Sequence, residues 1–327
     1  MTSPNSTFTE LVSTTFRKHR KEFADNVSTN NALLAKLNAK GRKRIEDGGL
    51  TIVAGLDYAE NSTYKRYSGY DVLDISPSDV LTSAEYNWKQ ASVNVTASGR
   101  ELRINSGRSQ IVNLAKERLT NAMRTFRNNI SSDIYSSGAA ANQINGLQAI
   151  APDTAGGTLG GIDGDTYTFW QAVVQSAAAP ISGSAITLSE STFEKFMRQL
   201  YIELTRGTDK PDLIVMDNAY FELFEGSQVS IKRYTADTST GQNSANAGLV
   251  TLKYKGADVM HDGGSGIAAS HGYMLNTNYL ELVAHRDADM TEVPEMRAIN
   301  QDAVVMPIIW MGNLICNNRS LQGVFKA

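Results

Sequence analysis

A single cysteine, Cys316, stands in a chain of 327 residues, so no disulfide can form within it. Histidine is almost as scarce. His19, His261, His271 and His285 include no H-x-x-x-H or H-E-x-x-H pair, and with one thiol they make no zinc-ligand set. No apolar run approaches the roughly 20 residues needed to cross a bilayer. The opening MTSPNSTFTE lacks the charged-then-apolar layout of a secretory signal. These absences give the expectation of a soluble protein that folds in a cytoplasm, braced by packing rather than by covalent links.

Catalytic signatures are missing as well. Neither G-x-x-x-x-G-K-[ST] nor G-x-S-x-G occurs, which removes the usual phosphate cradle and the nucleophile elbow. The glycine cluster 156–164, with Asp163 and Asp165, offers backbone groups to a phosphate or cation but has no lysine, and it reads as a flexible loop. Asp262, Ser265 and His271 lie near one another in sequence, yet a triad is a spatial arrangement that this spacing does not create. Asp287, Asp289 and Glu292 have the alternation of a cation-binding turn, with a solvated acidic turn as the default. Cys316 reads as a packed thiol, and Trp88 and Trp310 as sheet packing. No catalytic, metal or cofactor-binding residue is predicted. In a long, well-patterned chain that emptiness points to a structural role.

What is present is unevenly arranged. The net charge of −3 excludes a global basic field for nucleic acid. Residues 1–47, however, hold nine lysines and arginines against five acids, a net +4, which leaves −7 on the rest. Phe8, Leu11, Val12 and Phe16, and later Leu33, Leu34 and Leu37, form narrow helical stripes. Helices so short are marginal alone and need a surface to lie on. The segment reads as a basic arm, with Arg42, Lys43 and Arg44 as contacts to an acidic neighbour or to DNA.

Gly48-Gly49 ends this pattern. Residues 50–104 are rich in aromatic and β-forming residues, with turn signals at Gly55, Gly69 and Ser76-Pro77. Tyr58, Tyr64, Tyr67, Tyr70, Tyr86 and Trp88 are candidate inter-subunit contacts, because the stretch has too few bulky aliphatics for a core of its own. The competing reading is an ordinary sheet folded onto the body. Within residues 86–95 the apolar alternation changes phase, which predicts a bulge or strong twist.

A helix follows over 106–137, with Ser106 as N-cap and an apolar stripe from Ile111 through Leu119, Phe126 and Ile130 to Ile134. About 30 residues make a rod roughly 45 Å long. A second helix is predicted near 188–205, with Thr187 and Glu190 as a capping box. Then come a buried strand at 213–216, a short helix at 218–224, a polar loop at 235–248, and strands at 273–275, 279–284 and 303–311. Pro307 places the last of these at a sheet edge or bulge. The order of elements, without βαβ alternation, is that of an α+β fold.

Three stretches carry a family resemblance. Residues 84–106 (AEYNWKQASVNVTASGRELRINS) run into the long helix, 142–150 (NQINGLQAI) precede Gly160-Gly161-Ile162-Asp163 and Trp170, and 299–322 (INQDAVVMPIIWMGNLICNNRSLQ) close the chain. In order and spacing they resemble tailed-bacteriophage major capsid proteins of the Hong Kong 97-like fold. The resemblance implies an N-terminal arm at 1–48, an extended loop at 49–104, and a peripheral domain with the spine helix at 105–144. It puts a mostly axial domain at 145–275 and returning strands of both sheets at 276–327.

It also implies a shell protein that self-assembles as pentamers and hexamers around phage double-stranded DNA, within a virion capsid built in the host bacterial cytoplasm. The implied partners are a portal protein, with a separate scaffolding protein and decoration proteins as further candidates, and no membrane. Some relatives crosslink through a lysine–asparagine bond; Lys65 and Lys89 qualify only by position, and no crosslink is predicted. The alternatives are an encapsulin-like nanocompartment and a small-molecule hydrolase using the 261–271 loop.

Overall fold

The structure, a computed structural model, describes residues 31–104, 108–229, 252–262, 266–294, 296–297 and 302–327. The stripe of Phe8, Leu11, Val12 and Phe16, the Ser106 cap, the 235–248 loop and Ser265 lie outside the described residues, as do the side chains of Ile111, Leu114 and Ala115.

The chain begins with α1 (Ala32–Ala39), β1 (Lys43–Glu46), β2 (Ile52–Asp57), β3 (Leu81–Tyr86), β4 (Lys89–Ser98) and the long α2 (Arg108–Ile134). The short pair β5 (Thr158–Leu159) and β6 (Ile162–Asp163) leads to β7 (Val173–Ser176), α3 (Glu190–Glu203), β8 (Leu213–Met216) and α4 (Asn218–Val229). The remainder is mainly strand: β9 (Leu252–Tyr254), β10 (Ala257–His261), β11 (His271–Leu275), β12 (Leu280–His285), β13 (Thr291–Glu292), β14 (Met296–Arg297), β15 (Ala303–Cys316) and β16 (Gly323–Lys326). No helix among the described residues is long and apolar enough to cross a membrane.

These strands build two six-stranded sheets, so the fold is α+β as the element order predicts. The first is organised on β15. One side of β15 zips antiparallel onto β4 from Ala303–Ser98 to Gly312–Lys89, and its other side carries β14, β13 and β12 in turn, with β1 parallel beyond β12. The second runs β7-β16-β11-β8-β10-β9. The C-terminal chain thus visits both sheets, through β15 and then β16.

Pro307 does not mark an edge; it sits in the middle of the central strand. Its carbonyl accepts from the Val293 N–H at 2.9 Å, so its own nitrogen faces the same side. That side is where β13, paired to Ile308 and Ile309, gives way to β14, paired to Val304 and Val305. The donor that proline lacks therefore falls in a gap between two partners, and the ladder loses little.

Two apolar cores follow from the sheets. One gathers Leu33, Leu34 and Leu37 of α1, the inner face of β2 and β3, the buried stripe of α2 (Leu119, Ala122, Phe126, Ile130, Ile134) and the first sheet. The other packs Phe193, Phe196, Met197 and Leu200 of α3 and Tyr220 and Phe224 of α4 on the second sheet, with Phe325 among them. The α3 cap differs from the expectation by two residues. Ser189 is the N-cap and Thr192 its reciprocal partner, while Thr187 contributes its carbonyl to the Thr192 hydroxyl.

Candidate assembly surface

β2 and β3 form an antiparallel hairpin in register from Ile52–Tyr86 to Asp57–Leu81. Its inner face is buried through Ile52, Ala54, Leu56, Ala84 and Tyr86, while the alternate residues face outward. The predicted phase change at 86–95 is neither bulge nor twist. One strand ends at Tyr86 and the next starts at Lys89, so each keeps its own alternation and the link between them resets it. β2 pairs with β3 and β4 with β15, and residues 58–80 form an excursion between β2 and β3.

That excursion projects from the hairpin with no regular ladder. The Tyr58 N–H still donates to the Val80 carbonyl at 3.0 Å, and Ser62 and Ser78 meet higher up. Above them the chain is shaped by its own short polar side chains. Asn61, Asp71 and Asp74 accept from the backbone N–H groups of Thr63, Ser68 and Ser76, and the Lys65 amine donates to the Val72 carbonyl. Tyr64 is 80% exposed, Tyr70 fully so and Ile75 93%, with Tyr67, Val72, Leu73 and Leu81 exposed beside them. So many large apolar groups on one segment exceed the scattered single residues of an ordinary surface.

The six aromatic candidates therefore separate. Tyr64, Tyr67 and Tyr70 are free on the excursion. Tyr58 is half-buried at its root, its ring 5.8 Å from that of Phe169. Tyr86 is not an outward contact: it is 1% exposed, and its hydroxyl is spent on the backbone of Cys316. Trp88 is half-buried too, its Nε1–H donating to the Gly49 carbonyl at 3.0 Å and its ring meeting His285 edge-on.

The basic triplet also finds its partners at home. Arg42 and Arg44 pair with Glu281, Lys43 with Asp289 at 2.8 Å, and Arg44 additionally with Glu46. Lys36 and Lys40 pair with Asp258 and Asp212. The acidic surface expected on a neighbour is thus presented, for residues 36–44, by this same chain. The Leu33, Leu34 and Leu37 stripe does need a surface to lie on, and that surface is the chain's own core.

The chemical candidates do not converge. Asp262 accepts from the Tyr135 hydroxyl, whereas His271 Nε2 lies 3.0 Å from Asp153. Asp289 is taken by Lys43, and no cluster of three His, Cys, Asp or Glu suited to a metal occurs among the described residues. Trp310 is buried in the first core. Cys316 is fully buried, and burial pushes its thiol up to about 12, which leaves it a packing group.

The glycine cluster is a built element. Gly160 and Gly161, with φ of +60° and +77°, make the tight turn between β5 and β6. Around it lies a residue that sequence reasoning missed. Arg319 is 1% exposed and donates to the carbonyls of Ile150 and Gly157 at 2.8 Å and of Gly156 at 3.0 Å, with Ala149 and Trp170 at 3.4 Å. One guanidinium thereby ties the 149–157 backbone to the C-terminal tail. A signal existed: Arg319 is the sole charged residue in 303–325.

With this geometry in view, comparison with solved structures is informative. The chain is similar to one from the cyanophage A-1(L) capsid asymmetric unit, at 17% identity and a TM-score of 0.61, over 87% of this chain and 90% of that one. It is similar to a chain of the capsid of an empty GTA particle, at 11% identity and a TM-score of 0.55, over 88% of each. A chain from Microbacterium phage Oxtober96 matches at 11% identity and a TM-score of 0.54, over 91% of each. No protein-family model matches the sequence, and no curated protein matches it. The fold is that of a phage capsid subunit. It is the tailed-phage capsid fold that the sequence resemblance implied.

Proposed function

We propose that this chain is a major capsid protein, a structural rather than catalytic subunit that self-assembles into an icosahedral shell enclosing phage double-stranded DNA. The observation that carries the reading is the excursion 58–80: six large apolar side chains held out in solvent on a chain whose fold is that of capsid subunits. Such a surface is stable only in an assembly that covers it, and aromatic anchors dominate contacts of that kind.

On this reading the excursion is the extended loop, α2 is the spine helix, and the first sheet is the peripheral domain. The second sheet with α3 and α4 is the axial domain, which gathers around the five- and six-fold axes of pentamers and hexamers. The arm of residues 1–48 is then anchored on its own subunit from residue 31 onward. The portal, the scaffolding and decoration proteins and the packaged DNA complete the set of partners, and the virion capsid is the location. The test is to replace residues 61–77 with Asn-Gly and compare the purified chains by negative-stain electron microscopy. Wild type gives closed shells and the shortened chain gives folded, unassembled subunits; wild-type-like shells from the shortened chain overturn the assignment.

A further inference from the structure

We infer that the root of the excursion is a receptor for a guanidinium group, and that its occupant is Arg66 from the excursion tip of a second copy of this chain. The inference rests on the self-assembly reading above and adds a specific contact to it.

A groove of about 270 Å³ lies where the excursion leaves the hairpin, walled by Tyr58, Asp79, Leu81, Ile162, Tyr167 and Phe169. Three of its walls are aromatic. The Tyr58 and Phe169 rings are 5.8 Å apart and inclined at 37°, and the Tyr167 and Phe169 rings are 6.1 Å apart at 58°. The rings are thus splayed rather than stacked, and Tyr167 is exposed. Ring faces are electronegative, so a splayed set of this kind favours a cation.

A carboxylate completes the site. Asp79 lines the groove together with Tyr58, whose phenol is raised above its ordinary value by burial and then by the Asp79 charge. No lysine or arginine forms an ion pair with Asp79 among the described residues. Rings and a carboxylate without a basic partner match a cation, and a planar guanidinium stacks on rings while bonding a carboxylate.

The same excursion carries such a group at its other end. Arg66 is exposed, without an ion pair among the described residues, two positions ahead of the Ser68–Asp71 turn. Its neighbour Lys65 is engaged by the Val72 carbonyl. The Tyr58–Val80 and Ser62–Ser78 bonds hold the stem together and keep the tip away from its own root. A tip-to-root contact is heterologous, so repetition with rotation closes a ring, the geometry of a capsomer.

The test uses the full chain in four forms: wild type, Arg66→Glu, Asp79→Arg and the double exchange. Both positions are exposed, and circular dichroism checks that each form folds. Assembled fraction is measured by sedimentation at matched ionic strength. Each single reversal is expected to lower it by about tenfold or more, and the double exchange to recover most of the loss, as for a coupled charge pair. Normal assembly of both single variants, or a double exchange no better than the worse single, overturns the inference alone. Wild-type protein that forms no shell overturns the functional reading and this inference with it.

Discussion

The Tyr86 hydroxyl donates to the Cys316 carbonyl at 2.8 Å, and the Cys316 N–H returns to the same oxygen at 3.3 Å. Two residues 230 positions apart thus close a reciprocal pair in the first core, joining the base of the hairpin to the end of β15. Removing the hydroxyl leaves both backbone groups buried without that partner. Tyr86→Phe is expected to cost about 1–3 kcal/mol of subunit stability. Urea unfolding of the subunit measures it, and the loss should appear before any assembly step, because the ring touches no outside surface.

Arg319→Leu removes five donations to backbone carbonyls from a site closed to water. Each orphaned buried acceptor costs about 1–3 kcal/mol where solvent cannot replace the donor. The expected loss exceeds about 3 kcal/mol in denaturant unfolding. Hydrogen exchange should rise in residues 149–170, which the guanidinium holds, before it rises in α3.

Charge reversal of Arg42, Lys43 and Arg44 acts within the subunit. Their carboxylate partners Glu281 and Asp289 lie in the same chain and are partly solvated, so each lost pair is worth about 0.2–1 kcal/mol. The triple variant should melt a few degrees lower and show a weaker salt dependence than wild type. Unchanged subunit stability with a defect confined to assembly would show that these residues contact a neighbour instead.

The Cys316 thiol supplies a pH signature. Its folded value of about 12 lies above that of an unfolded cysteine, about 8.5, so above that value the folded state holds the proton more tightly. The stability this adds is complete below about pH 8.5 and falls as pH rises towards the folded value, with a limiting slope of about 1.4 kcal/mol per pH unit. Thiol reagents at pH 8 should leave native protein unmodified and label it once denaturant unfolds it. Rapid labelling of the native subunit would refute the burial argument.

How much of this could be read from the chain varies with the kind of interaction. The α2 and α3 stripes, the buried run Leu213–Met216 and the glycine turn are local, and periodicity or φ requirements reveal them. Tyr64, Tyr67 and Tyr70 could be assigned to a surface because no aliphatic pattern surrounds them. Tyr86 and Trp88 had the same composition around them but the opposite fate. Tyr86 is sealed by Cys316 at the end of β15, 230 residues away in sequence, and Trp88 is half-buried against Gly49 and His285. Pro307 shows the converse: the rule that excludes proline from central strands fails where the neighbouring strand is itself interrupted.

By itself the sequence determined which segments are amphipathic and that a basic N-terminal stretch precedes an acidic remainder, since these depend on residue type and near-neighbour spacing. Only the tertiary structure decided where those charges and rings end up. It folded the acids of β12 and its flanking turn onto Arg42, Lys43 and Arg44, sealed Tyr86 under the tail, and left the excursion 58–80 uncovered. The reason is that burial and ion pairing are properties of contacts between distant segments, and a sheet assembled around β15 brings together residues that no local pattern connects.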